Sequence, residues 1–151
     1  MSLDIYLTIP GAQLPVEQDR IYIRADGQTK PISRAEWDAR HPGQVPVTVH
    51  YDYDTTDEVY TANITHNLSE MARHAGLYGI LWHPETCGIV TAQDLAQPLR
   101  IGLEVLLHDP VPYLPYSPAN GWGTYRQLAA FVEGVLEACT QYPTALVHVS
   151  I

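Results

Sequence analysis

Lysine is almost missing from this chain. Lys30 is the only one, and with seven arginines it stands against seventeen carboxylates, for a formal net charge of −9. A duplex-binding face needs clustered Lys and Arg to release phosphate counterions. Here Arg20, Arg24, Arg34, Arg40, Arg73, Arg100 and Arg126 are scattered singly, so no nucleic-acid partner is expected. Cysteine is nearly as scarce. Cys87 and Cys139 form no C-x-x-C or zinc-knuckle spacing, and they read as two small buried thiols rather than a disulfide or a metal site. No apolar run approaches the length of a membrane span, so no membrane partner is expected. The first twenty residues carry no basic start followed by an apolar run. The N-glycosylation patterns at Asn63-Ile64-Thr65 and Asn67-Leu68-Ser69 therefore carry no weight, and a cytoplasmic protein is expected. Nucleophile elbow, glycine-rich phosphate loop and H-E-x-x-H helix are also lacking, which argues weakly against an enzyme.

What is present is enough for one core. The chain has 151 residues, 46% of them hydrophobic, close to the commonest size of a single domain. A chain of this length buries roughly 70% of its unfolded surface, without help from metal or disulfide. One globular domain over residues 1–151 is expected, with no repeat and no linker. Ten tyrosines and three tryptophans are able to serve a recognition surface as well as a core.

Patterning gives most of the elements. Leu3, Ile5, Leu7 and Ile9 alternate with Asp4, Tyr6 and Thr8, the period of a strand with one buried side. Ile21 to Arg24 reads as a short strand closed by a turn at Asp26-Gly27. Ser33-x-x-Glu36 is a capping box opening a helix through Arg40, with Trp37 as its core contact. Val45, Val47, Val49, Tyr51 and Tyr53 form a second alternation, expected to pair as a hairpin with Val59 to Ile64. From residue 66 the period turns helical, with Leu68, Met71, Ala72 and Ala75 inward and Gly76 as C-cap. Leu77 to Trp82 adds a short helical turn. Thr91-x-x-Asp94 caps a helix with the stripe Leu95, Leu99, Leu103 and Leu106, which Pro98 is expected to kink or split. Asp109 to Gly123 reads as a structured loop, and Thr124-x-x-Gln127 as a capping box opening the strongest helix. Residues 145 to 151 alternate as a closing strand, expected beside the N-terminal one. Strands first, helices next and one strand last imply an α+β fold, a small mainly antiparallel sheet packed against three or four helices.

Three constellations carry chemistry. Asp52-x-Asp54-x-Thr56 resembles the opening motif of haloacid-dehalogenase-type phosphotransferases. That chemistry also needs a later lysine and a later acidic pair, and neither follows here. His50, Asp52 and Asp54 share one face of an extended segment, about 6.6 Å apart along it, too far to chelate one ion without help from another element. His66, Glu70 and His74 are spaced by four and stack on one face if a single helix carries all three. Imidazole, carboxylate and imidazole suit zinc or a similar divalent ion. The alternative reading places His66 ahead of the helix, with Glu70 and His74 as a surface pair. Finally, Asn120-Gly121-Trp122-Gly123 sets a large ring between two glycines, a loop lock or a binding loop.

Tyr60 to Leu68, Leu81 to Glu85 and Asn120 to Tyr125, with the closing helix and strand, resemble a family of small proteins of bacteria and their phages. The likeness covers roughly residues 59 to 151 and implies an origin without a mechanism. It directs attention to Asn63, His66, Asn67, Asn120 and Trp122, expected around one polar seam where the strand-to-helix junction meets the long loop. The expected function is an accessory or interaction domain without catalysis or cofactor, with a protein partner or self-association. The alternatives are a metal-assisted hydrolase on the His66, Glu70 and His74 cluster, or a small-molecule binder at the Trp122 loop.

Overall fold

A computed structural model describes residues 1–151. The alternating N-terminal segment forms β1 (Ser2–Thr8), the central strand of the main sheet. On its two sides run β7 (Glu58–Thr65) and β8 (Leu146–Ser150), both antiparallel to it. The closing strand thus lies beside the first, as its position in the chain implied. Leu3, Ile5 and Leu7 are completely buried, while Asp4, Tyr6 and Thr8 point to the opposite face. Four helices cover the buried face: α2 (Ser69–His74), α3 (Tyr78–Trp82), α4 (Ala92–His108) and α5 (Tyr125–Gln141). The fold is α+β, with one core of 25 buried residues shared by sheet and helices. No helix is long and apolar enough to cross a membrane.

The helix ends follow their signals. Thr91 and Asp94 close a reciprocal capping box on α4, and Thr124 and Gln127 close another on α5. Gly76 ends α2 at φ +72°, a left-handed position that lets the Leu77 N–H return to the Ala72 carbonyl. Pro98 neither ends nor divides α4, which runs unbroken from Ala92 to His108. An interior proline costs roughly 3 kcal/mol. Leu95, Leu99 and Leu106 are fully buried on this helix, and each is worth about 1.5–3 kcal/mol. Packing on both sides of Pro98 therefore outweighs one lost hydrogen bond.

The other face of the main sheet carries the smaller elements. A hairpin of β3 (Arg20–Ala25) and β4 (Gln28–Ile32) turns at Asp26-Gly27 and packs along β7. Its tip is anchored by the Thr65 N–H, which donates to the Gly27 carbonyl at 3.0 Å. β5 (Thr48–Val49) joins the free edge of β3, and a two-residue ladder of β2 (Leu14–Pro15) with β6 (Thr55–Thr56) closes the loops.

Three expectations fail in this half of the molecule. Val45 to Tyr53 is not a long strand: only Thr48–Val49 is paired, and Val45 and Val47 are exposed. Val59 to Ile64 does become strand, but it pairs with β1 rather than returning as a hairpin. Alternation shows which face a strand would bury, and here the segment meets a sheet edge at only two residues, on β3. The helix α1 (Arg34–Arg40) forms, yet it buries no residue. Trp37 lies against His41 and donates its indole N–H to the Gln44 carbonyl at 3.0 Å instead of entering the core. Only half of its capping box closes, because Glu36 turns to Arg40 at 2.6 Å.

The cysteines also differ from each other. Cys139 is buried, and burial pushes its thiol up to about 11, whereas Cys87 is exposed as the last residue of a short 3-10 turn. Cys87 was expected inside, but the turn that ends α3 lifts it clear of the core. Thiolate is the reactive form. A native thiol titration should therefore report one fast group, lost in Cys87→Ser, with the second appearing only on unfolding.

Candidate functional site

The polar seam begins at Asn63 on β7. Its Nδ2 donates to Asp4 Oδ1 at 2.5 Å, and its Oδ1 accepts the Thr29 backbone N–H at 3.3 Å. Asp4 lies directly across from Asn63 in the β1–β7 ladder, and Thr29 is on β4. One amide therefore ties the main sheet to the hairpin. Two residues on, the chain leaves the strand at Thr65 and enters a 3-10 turn over His66–Leu68. That turn places Asn67 against the long loop, where its Nδ2 donates to the Trp122 carbonyl at 3.2 Å. Asn120 Oδ1 accepts the Trp122 N–H at 2.9 Å, and Gln127 Oε1 accepts the N–H groups of Gly123 and Thr124. Gly123 sits at φ +106°, and a Cβ there would lie 3.2 Å from both Asn67 and Thr65. The loop is locked at this point by close approach as well as by conformation.

Of the five seam residues expected from sequence, the structure brings Asn63, Asn67 and Trp122 to one cleft of about 250 Å³, with Arg24, Gln28 and Thr29. Asn120 holds the loop from behind. His66 turns away: its ring lies edge-on to Trp82 at 6.3 Å, and its Nδ1 and the Trp82 indole nitrogen are buried with no protein partner.

The His66, Glu70 and His74 set does not assemble. Because α2 starts at Ser69, His66 lies in the preceding turn and leaves the helical face. Glu70 accepts from Arg73 at 3.1 Å, and His74 meets the Tyr116 hydroxyl at 2.6 Å with the two rings stacked. His50 pairs with Asp19 at 3.0 Å, while Asp52 and Asp54 are exposed on the loop beyond it. No three His, Cys, Asp or Glu side chains are gathered where one ion would be shared. Tyr113 stacks on Tyr125, and the His83 ring meets Tyr78 edge-on, away from the residues that line the seam cleft.

A second cleft, of about 340 Å³, opens on the other side of Asn63 and Thr29, which line both. Sequence reasoning did not find it. Four tyrosines define it: Tyr6 from β1, Tyr22 from β3, and Tyr51 and Tyr53 from the segment after β5. The Tyr22 and Tyr51 hydroxyls share a short hydrogen bond. Burial, then that bond, pushes Tyr51 up to about 12. The Tyr51 and Tyr53 rings lie 5.3 Å apart. Glu58 lies in the same cleft, and burial raises its carboxyl while Arg20 opposes the rise. Burial also raises Tyr6, helped by Asp4 and Glu58. Arg20 makes no ion pair: the cations that do are Lys30, Arg34, Arg40 and Arg73, besides two histidines. The signal available in the sequence was the tyrosine content alone, because strands and loops far apart in the chain build the wall.

Compared with known proteins, the chain matches no family model, no curated protein and no solved structure.

Proposed function

We propose that this chain is a non-catalytic accessory module, of bacterial or phage origin and cytoplasmic setting, that binds an extended ligand along the groove between its hairpin and its main sheet. The observation that carries this reading is that two clefts adjoin at Asn63 and Thr29, which line both. Together they form a groove interrupted by the Asn63 tie, with the Trp122 loop on one side of it and the four tyrosines on the other. Its floor is set by β-strand register rather than by mobile loops, so it is largely formed before any ligand arrives. Tyrosine offers wide, rigid, amphipathic contact at low entropic cost. A hydrolase built on His66, Glu70 and His74 has less support, since each of these groups faces a different neighbour. The Trp122 loop contributes one end of the groove rather than a closed small-molecule pocket.

A second reading rests on α4, where Ile101 and Val105 are about half exposed one turn apart, with Val111 and Leu114 beyond. This face favours a protein contact or self-association. Backbone NMR titrations with neutral oligosaccharides and with short acidic and basic peptides separate the two. Shifts gathered at Thr29, Thr61 and Asn63 are the expected result. Shifts confined to Ile101 and Val105, or none with any probe, would overturn the groove reading.

A further inference from the structure

We infer that the groove takes a neutral oligosaccharide, stacked on the tyrosines and hydrogen-bonded by the charged side chains between them. This rests on the binding reading above and names its ligand class.

The argument starts from charge. Asp4 and Glu58 line the tyrosine cleft with Arg20, and Arg24 lines the cleft beside it. Two carboxylates and two guanidinium groups thus line the adjoining clefts of a chain whose net charge is −9. A polyanion approaching it meets the field of the whole molecule as well as Asp4 and Glu58. A polycation meets Arg20 and Arg24, neither of which is neutralised by an ion pair within the chain. Each sign of polymer therefore leaves some charge facing its like. A ligand without charge has no such conflict and gains from both signs, because hydrogen bonds with one ionised partner are the stronger kind.

The chemistry of the wall points the same way. A sugar presents hydroxyls at its rim and an apolar C–H face on its ring. Planar groups with paired donors or acceptors suit adjacent hydroxyls: the Arg20 fork donates, and the carboxylates of Asp4 and Glu58 accept. The side chain of Glu58 carries no hydrogen bond within the protein, and its carboxyl is raised by burial. It is therefore held where a hydroxyl donor would stabilise its charged form. Tyrosine rings supply the apolar faces, and Tyr53, half exposed at the mouth, has room to be covered.

Isothermal titration with cellohexaose and with chitohexaose tests the inference, against hexaglutamate and hexalysine as charged controls of similar length. Binding of at least one hexasaccharide is expected, with affinity falling at least about tenfold in Tyr53→Ala and in Arg20→Gln. Both side chains lie outside the buried core, and thermal unfolding of each variant confirms that the fold is kept. Hexasaccharide binding that survives both substitutions overturns the site. Binding of a charged peptide in the groove with no hexasaccharide bound overturns the ligand class and leaves the binding module standing. Failure of all four probes, with no groove shifts by NMR, overturns both.

Discussion

Gly102→Ala should lower stability by about 1–3 kcal/mol, although alanine is the better helix former. Propensity alone gives the opposite sign, a gain of roughly 1 kcal/mol in a helix interior. Gly102 lies in the middle of α4 and is buried. A Cβ built there would stand 2.2 Å from Leu77 Cδ2 and 2.8 Å from its Cγ, distances that real contacts do not reach. Leu77 is itself completely buried in the core. It has no free volume to retreat into, so the new methyl forces either an off-rotamer leucine or a shift of α3 away from α4. Overpacking of this kind costs about 1–3 kcal/mol. For a chain of this size that is roughly 2–4 °C in Tm per kcal/mol. The cause is checked by a double-mutant cycle. In a Leu77→Ala background the methyl has room, and the Gly102→Ala penalty should shrink or change sign. An unchanged penalty in that background would show that the clash is not its source.

The same glycine illustrates what sequence alone carries. A leucine stripe and a capping box were enough to place α4, and the reciprocal box at Thr124 and Gln127 placed α5. These signals are local, because a helix satisfies its hydrogen bonds within a few residues. The strict alternation from Leu3 was equally legible, and so was the buried face it implied. Pairing was not. The valines from Val45 onward alternate as well as those of β1, but a strand needs a partner edge, and β7 took β1 while β3 offered only two residues. Trp37 failed for a related reason. Its helix covers no apolar surface, so hydrophobic character found nothing to bury against.

The candidate site divides along the same line. Asn63, Asn67 and Trp122 were legible because uncommon side chains cluster near a strand-to-helix junction and a double-glycine loop, and both features demand specified geometry. His66, Glu70 and His74 misled because periodicity presumed one continuous helix, and Ser69 begins the helix three residues too late to include His66. The tyrosine cleft was invisible for a stronger reason. Tyr6, Tyr22 and Tyr51 come from three segments that meet only when the hairpin folds onto the open face of β1 and β7. No spacing within the chain encodes that approach. Its nearest trace is Asn63, whose two hydrogen bonds reach two different sheets.

Asn63→Asp should therefore weaken both the seam and the groove, and do so only above acidic pH. In the native chain Asn63 Nδ2 donates to Asp4 Oδ1 at 2.5 Å, and its carbonyl accepts from Thr29. The substitution is nearly isosteric and keeps the acceptor for the Thr29 N–H. It replaces a donor to Asp4 with a second carboxylate at contact distance. A hydrogen bond to a charged group is worth about 1.5–3 kcal/mol, and like-charge repulsion in a half-buried site adds to its loss. We expect about 2–4 kcal/mol less stability at neutral pH, with the hairpin amides of β3 and β4 exchanging faster. The sign with pH follows from linkage. Two facing carboxylates raise the pKa of the pair in the folded state above the unfolded value near 4. Stability of the variant relative to the native chain is then fully recovered below that unfolded value. It is lost as pH rises through the raised folded value, because the one shared proton that restores a donor between the two oxygens is then released. Melting curves from about pH 3 to pH 7 check this. A deficit that grows on acidification, or one independent of pH, would remove the Asn63–Asp4 contact from its place as the tie between sheet and hairpin. Asn63→Ala separates the two effects further. It abolishes both hydrogen bonds without adding charge, so its deficit should persist at acidic pH where that of Asn63→Asp disappears.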